Sequence, residues 1–141
     1  MLKYLFLLAF ISTAYCALDE KDFPPKLVKL AKMMHFECQT ITGATEEEIK
    51  KLRKGDFNGS DEIKRYATCC WLHSGLLDVH FNIDKDFLLD IEPEKLKGKF
   101  VDLYEKCAEK GKNSGLPKFI EKVWIAKKCI HDADPENFIV L

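Results

Sequence analysis

Apolar residues in this chain recur at three- and four-residue steps, not at every second position, and that spacing predicts helices throughout. Pro24-Pro25 opens a first helix, in which Leu27, Leu30, Ala31, Met34 and Cys38 share one face; Gly43 breaks it. Thr45-Glu46-Glu47-Glu48 has the form of a capping box and starts a short helix with Ile49 and Leu52 inward, ended by Gly55. The stretch KRYATCCWLHSGLLD, from Lys64, reads as a central helix that begins after Asn58-Gly59-Ser60 and stops at Gly75. Asp84 caps a short helix holding Phe87 and Leu88. Pro93 opens the next, with Leu96, Phe100, Leu103, Tyr104 and Cys107 in one stripe, and Lys110 to Gly115 reads as a loop. Pro117 opens the last helix, where Phe119, Val123, Ala126 and Ile130 share a face, and a tail ending Phe138-Ile139-Val140-Leu141 follows. No alternating strand run and no hairpin signal interrupts this series. The expectation is an all-α domain of about six short helices.

The first residues break the pattern. Lys3, the apolar run from Tyr4 to Ile11, and small residues at Ala14 and Cys16 have the form of a secretory signal cut before Ala17. The apolar run is too short to cross roughly 30 Å of hydrocarbon. The expected organisation is therefore a signal at 1–16 and one domain at 17–141, secreted and extracellular, with no membrane span. Cutting there removes one of the six cysteines and leaves an odd number. In an oxidising compartment that means two bridges and one spare thiol.

Composition adds mainly exclusions. Hydrophobic residues are 47% and charged residues 32%, as in ordinary globular domains, and the net charge of −1 gives no attraction to nucleic acid. Histidines 35, 73, 80 and 131 do not pair with cysteine at zinc-finger spacing, so no metal and no cofactor is expected. Asn58-Gly59-Ser60 is a glycosylation sequon, although Ser60 serves equally as a helix cap.

Cys38, Cys69 or Cys70, Cys107 and Cys129 all fall on predicted helices. Adjacent residues on a helix point about 100° apart, so Cys69 and Cys70 face different surroundings. Closing 38 to 69 and 107 to 129 would make loops of about 32 and 23 residues, each contributing roughly 3–4 kcal/mol in the loop-closure picture. Spacing alone does not choose among the pairings. Helices of this length and varied direction pack poorly at a common centre, and bridges can hold such a shell around a cavity.

With these positions fixed, the chain resembles insect odorant-binding proteins of the pheromone/general odorant-binding family. The resemblance rests on GATEEEIKKLRKGDF, on KRYATCCWLHSGLLD and on IEKVWIAKKC. Alignment on Gly75 and Asp78 makes Cys69 the family's third cysteine and puts Arg65 at the second. Cys129 is the sixth, and Ile120 stands at the fifth. The family pairs its second and fifth cysteines, and both are replaced here, which is the minus-C pattern. The resemblance therefore implies bridges Cys38–Cys69 and Cys107–Cys129, with Cys70 a free thiol.

It also implies six helices around an apolar cavity that carries a small hydrophobic molecule such as an odorant or pheromone. No catalysis is involved, and a chemosensory receptor is a further implied partner; the chain would be a monomer or weak homodimer. Family positions together with the apolar stripes give the expected ligand-binding set. It comprises Met34, Ala67, Trp71, Leu72, Leu76 and Phe87, then Val101, Tyr104, Val123, Ala126, Ile130 and Phe138. Tyr104 would supply the hydroxyl that bonds the ligand.

Two other readings compete. Cys69-Cys70-Trp71-Leu72-His73 is similar to the CCxxHD of secreted phospholipase A2, but Ser74 follows His73 where that enzyme has aspartate, and no glycine-rich calcium loop precedes it. The other is a secreted interaction protein with a filled core and no ligand.

Overall fold

The computed structural model describes residues 20–140. The expected signal segment and its cut site lie outside the described residues. Six helices carry the fold: α1 Pro25–Thr42, α2 Glu46–Arg53, α3 Asp61–Ser74, α4 Lys85–Ile91, α5 Lys99–Lys112 and α6 Phe119–Ala133. Among the described residues, extended pairing is limited to one isolated antiparallel bridge, Leu77 with Ile83. The all-α expectation holds.

Local chemistry sets most of the boundaries. Gly43 ends α1 with φ 73° and donates its N–H to the Gln39 carbonyl. At α2 the capping box forms in full: Thr45 Oγ1 accepts from the Glu48 N–H at 3.2 Å, and the Glu48 carboxylate accepts from the Thr45 N–H at 2.9 Å. The other Glu48 oxygen accepts from the Ser60 hydroxyl, which itself caps α3 by accepting from the Ile63 N–H. One carboxylate thus ties the starts of two helices together. Asp84 caps α4 through the Phe87 N–H at 2.9 Å.

Two expectations are corrected. Pro93 does not open the long helix; it opens a single 3-10 turn, Glu94–Leu96, and α5 begins only after Gly98 at φ 85°. The break is held by Glu92, 3% exposed, whose carboxylate accepts from the Gly98 N–H at 2.5 Å and the Phe100 N–H at 2.7 Å. A buried carboxylate is satisfied here by the free N–H groups of a helix start. The stretch from Lys110 is also not yet loop, since α5 runs to Lys112. Gly111 is helical because α6 lies against it. A Cβ there would sit 2.3 Å from the Lys122 carbonyl oxygen.

Two disulfides clasp helices in pairs. Cys38–Cys69 joins α1 to α3 with Cα atoms 5.7 Å apart, and Cys107–Cys129 joins α5 to α6 at 5.5 Å. This is the minus-C pairing. Contacts of Cys107 with Cys129 and of Gly111 with Lys122 make α5 and α6 antiparallel. α3 also packs on α6, with Trp71 and Ala67 buried on one side and Val123, Ala126 and Ile130 on the other. The Trp71 and Tyr104 ring centroids are 6.0 Å apart, and Phe100 to Tyr104 is 5.4 Å.

Candidate functional site

A cleft of about 670 Å³ opens between α1 and the last described residues of the chain. One wall is the face of α1 that carries Leu27, Val28 and Ala31, with Phe23 just before the helix. The other is Phe138, Ile139 and Val140 of the tail. The spacing 27, 28, 31, 35 is one helical face. Further along α1 the lining turns polar, with Lys32, His35, Arg53 and Tyr66; Glu136 enters from the tail side.

The tail is fastened from behind. Asp134 accepts both hydrogen bonds of the Asn137 amide, at 3.0 and 2.8 Å. Phe138 packs edge-on to His131 at 5.1 Å and tilted against Phe57 at 5.8 Å. Phe57 is held by Trp124, whose indole N–H donates to the Phe57 carbonyl at 3.1 Å. The Phe57 contacts reach across the fold and fix the tail as a wall of the cleft.

At the polar end a string of hydrogen bonds runs inward. Glu46 accepts from His35 Nε2–H at 2.7 Å, and His35 Nδ1 is hydrogen-bonded to the Tyr66 hydroxyl at 2.9 Å. The bond to His35 holds the Glu46 carboxyl below its usual range. Tyr66 lies one helical turn before Cys70 on α3, so the two side chains share a face. Burial pushes the pKa of both upwards, so both stay protonated at neutral pH. Cys70 is a free, buried thiol. Behind it lies Lys127, fully buried, with Nζ 4.4 Å above the centroid of Trp71. Burial drives this amine down to about 7.

Of the expected ligand-binding residues, the structure buries Met34, Ala67, Trp71, Leu76, Tyr104, Val123, Ala126 and Ile130 together in the core. Phe87, Val101 and Phe138 pack against that core, and Leu72 is half-buried outside it. Phe138 is the member of the set that lines the cleft. Burial raises the Tyr104 hydroxyl well above its ordinary value, and it stays protonated. The cleft residues Leu27 and Ala31 belong to the first helix's apolar stripe. Phe23, Val28, His35, Arg53 and Tyr66 gave no comparable sequence signal. Lys127 carried one: it interrupts the apolar series Val123, Ala126, Ile130 on α6.

Among the described residues no group of three His, Cys, Asp or Glu side chains could hold a metal, and no helix is long and apolar enough to cross a membrane. His73 of the phospholipase-like reading lies exposed in the last turn of α3, with Nδ1 3.8 Å from a Glu37 carboxylate oxygen.

Comparison with known proteins agrees with this architecture. Odorant Binding Protein 7 from Anopheles gambiae, solved with four disulfide bridges and an azo compound, superposes with a TM-score of 0.64. Its sequence identity is 26%, over 84% of this chain and 98% of that one. Apis mellifera odorant binding protein 5 gives a TM-score of 0.60 at 20% identity, covering 87% and 98% of the two chains. Odorant Binding Protein 4 of Chrysopa pallens gives 0.59 at 21%, covering 82% and 95%. These last two speak for the fold alone. General odorant-binding protein 69a of Drosophila melanogaster is 28% identical over 94 residues, which is 65% of this chain and 64% of that relative's length. The profile of the PBP/GOBP family matches residues 20–133, and with its helices, its two bridges and these neighbours in view, the chain belongs to that family.

Proposed function

We propose that this protein is a secreted, non-catalytic carrier that holds small hydrophobic molecules between α1 and the C-terminal segment. The family and its fold support a ligand-carrying role. The observation that carries the finer reading is the 670 Å³ cleft with apolar walls on both sides. That volume is within the range of small-molecule sites, roughly 300–1,000 Å³. A ligand that buries about 200 Å² of apolar surface gains about 5 kcal/mol at 25 cal/mol per Å². With one or two hydrogen bonds to Tyr66 or His35, micromolar affinity is within reach. The azo compound in the Anopheles gambiae relative is a ligand of this general kind.

The buried set Trp71, Tyr104, Val123, Ala126 and Ile130 forms the deeper wall in this reading, and Phe138 joins it to the cleft. Secretion follows from the signal-like first residues, and Asn58, exposed beside the cap of α3, is then available for glycosylation. Titration with N-phenyl-1-naphthylamine tests the carrier role: saturable fluorescence gain at micromolar protein, reversed by apolar competitors. Ala31→Trp, which fills the cleft, should weaken uptake at least about tenfold. No uptake by the wild type would refute the carrier reading, and equal uptake by the variant would move the ligand elsewhere.

A further inference from the structure

Among the described residues, Lys127 Nζ is a buried side-chain polar atom without a hydrogen-bond partner. Such groups are rare in native interiors and call for an explanation. No carboxylate pairs with it. Its neighbour is the face of Trp71, 4.4 Å from the ring centroid. Lys127 sits in the layer where α6 packs on α3, and Tyr66, one helical turn before Cys70 and Trp71 on α3, lines the cleft. A structural role is hard to assign, because methionine or leucine would fill the same space without an unsatisfied polar atom.

What this position provides is a desolvated primary amine that burial holds largely neutral. A neutral amine has a lone pair free to attack a carbonyl carbon, and lysines in apolar pockets are the usual Schiff-base formers. We propose that Lys127 captures small apolar aldehydes reversibly as an imine; the inference rests on the carrier reading above and names a ligand class for it.

The step balances without any oxidant or metal. The nitrogen lone pair forms a C–N bond while the carbonyl π pair moves to oxygen, which takes a proton from nitrogen. The resulting hydroxyl leaves as water with the second nitrogen proton, and the C=N bond forms. Water reverses the sequence and releases the aldehyde. The imine suits this interior better than the amine does. It has no N–H left to satisfy, and the aldehyde's alkyl chain adds apolar burial. A carboxylate ligand would instead bring a second charge into a place with no further donors for its lone pairs.

The test treats the folded, disulfide-intact protein with decanal and sodium cyanoborohydride at pH 7.5, followed by intact mass and peptide mapping. Lys127 should be alkylated on the order of a hundredfold faster than an exposed lysine such as Lys29, given its larger neutral fraction. Decan-1-ol, which has the chain but no carbonyl, should slow the labelling. Lys127→Met should lose the fast-labelled peptide. Label spread over exposed lysines with Lys127 unmodified overturns the proposal. N-phenyl-1-naphthylamine displacement run in parallel separates the two readings. Displacement by decanal without modification of Lys127 overturns imine capture alone, whereas no probe uptake at all overturns the carrier reading as well.

Discussion

Replacing Lys127 by methionine should stabilise the protein, and by an amount that depends on pH in a defined direction. The side chains are similar in length, so packing is nearly conserved and the charge is the main change. The ordinary lysine value of 10.5 falls to about 7 in the folded protein. Above pH 10.5 the amine is neutral in both states and has no effect. Between 10.5 and 7 the unfolded chain binds a proton that the folded chain does not, so wild-type stability drops by about 1.4 kcal/mol for each unit of falling pH. Below pH 7 the loss is complete.

The gap between Lys127→Met and wild type is then about 4 kcal/mol at pH 7, before allowing up to about 1–2 for the lost contact with Trp71. It should narrow by about 1–2 kcal/mol on going to pH 8.5. Urea unfolding at pH 7 and 8.5, with both disulfides intact, measures this directly. Cys70 and Tyr66, the titrating neighbours, have raised values and stay protonated across this window. Parallel stabilities at the two pH values, or a variant weaker than wild type at both, would refute the account of Lys127 as an uncompensated buried amine.

Other substitutions test the fold. Gly111→Ala should cost about 2 kcal/mol or more in urea unfolding, because its methyl group would meet the Lys122 carbonyl oxygen and force α5 from α6. An unchanged midpoint would show that the two helices yield easily. Glu92→Ala leaves the Gly98 and Phe100 N–H groups without their acceptor and should lower stability by about 2–3 kcal/mol, with faster amide exchange at the start of α5. Arg65→Cys with Ile120→Cys restores the cysteine pair absent from the minus-C pattern. A third disulfide should form and raise the melting temperature, and two free thiols would show that the family's second and fifth positions were misplaced.

The helix starts were legible because their signals are local. Thr45, Ser60 and Asp84 each act within a turn of their own position, as does Gly43 at the end of α1, so a short window contains both the cap and what it caps. The cysteine pairing came through resemblance, since spacing alone left it open. What failed was set by distance. Pro93 looked like a helix start, but the carboxylate that starts α5 belongs to Glu92, and its partners are six and eight residues on. Gly111 looked like a loop residue, and only the Lys122 backbone across from it explains a glycine inside a helix. The cleft was legible by half. Leu27 and Ala31 lie on a visible stripe and Phe138 is in the expected ligand-binding set, but the placement of the tail depends on Phe57, Trp124 and His131.

The two bridges enclose separate stretches of chain, 38–69 and 107–129, and among the described residues no sulfur connects one to the other. A protease that nicked the exposed Val79-His80 segment would therefore release no fragment while the fold lasted, yet nothing covalent would oppose separation afterwards. The halves would be held by the burial of Trp71, Ala67 and their partners on α6, the layer that also contains Lys127. Resistance to cutting thus depends on how well the stretch between residues 69 and 107 is shielded.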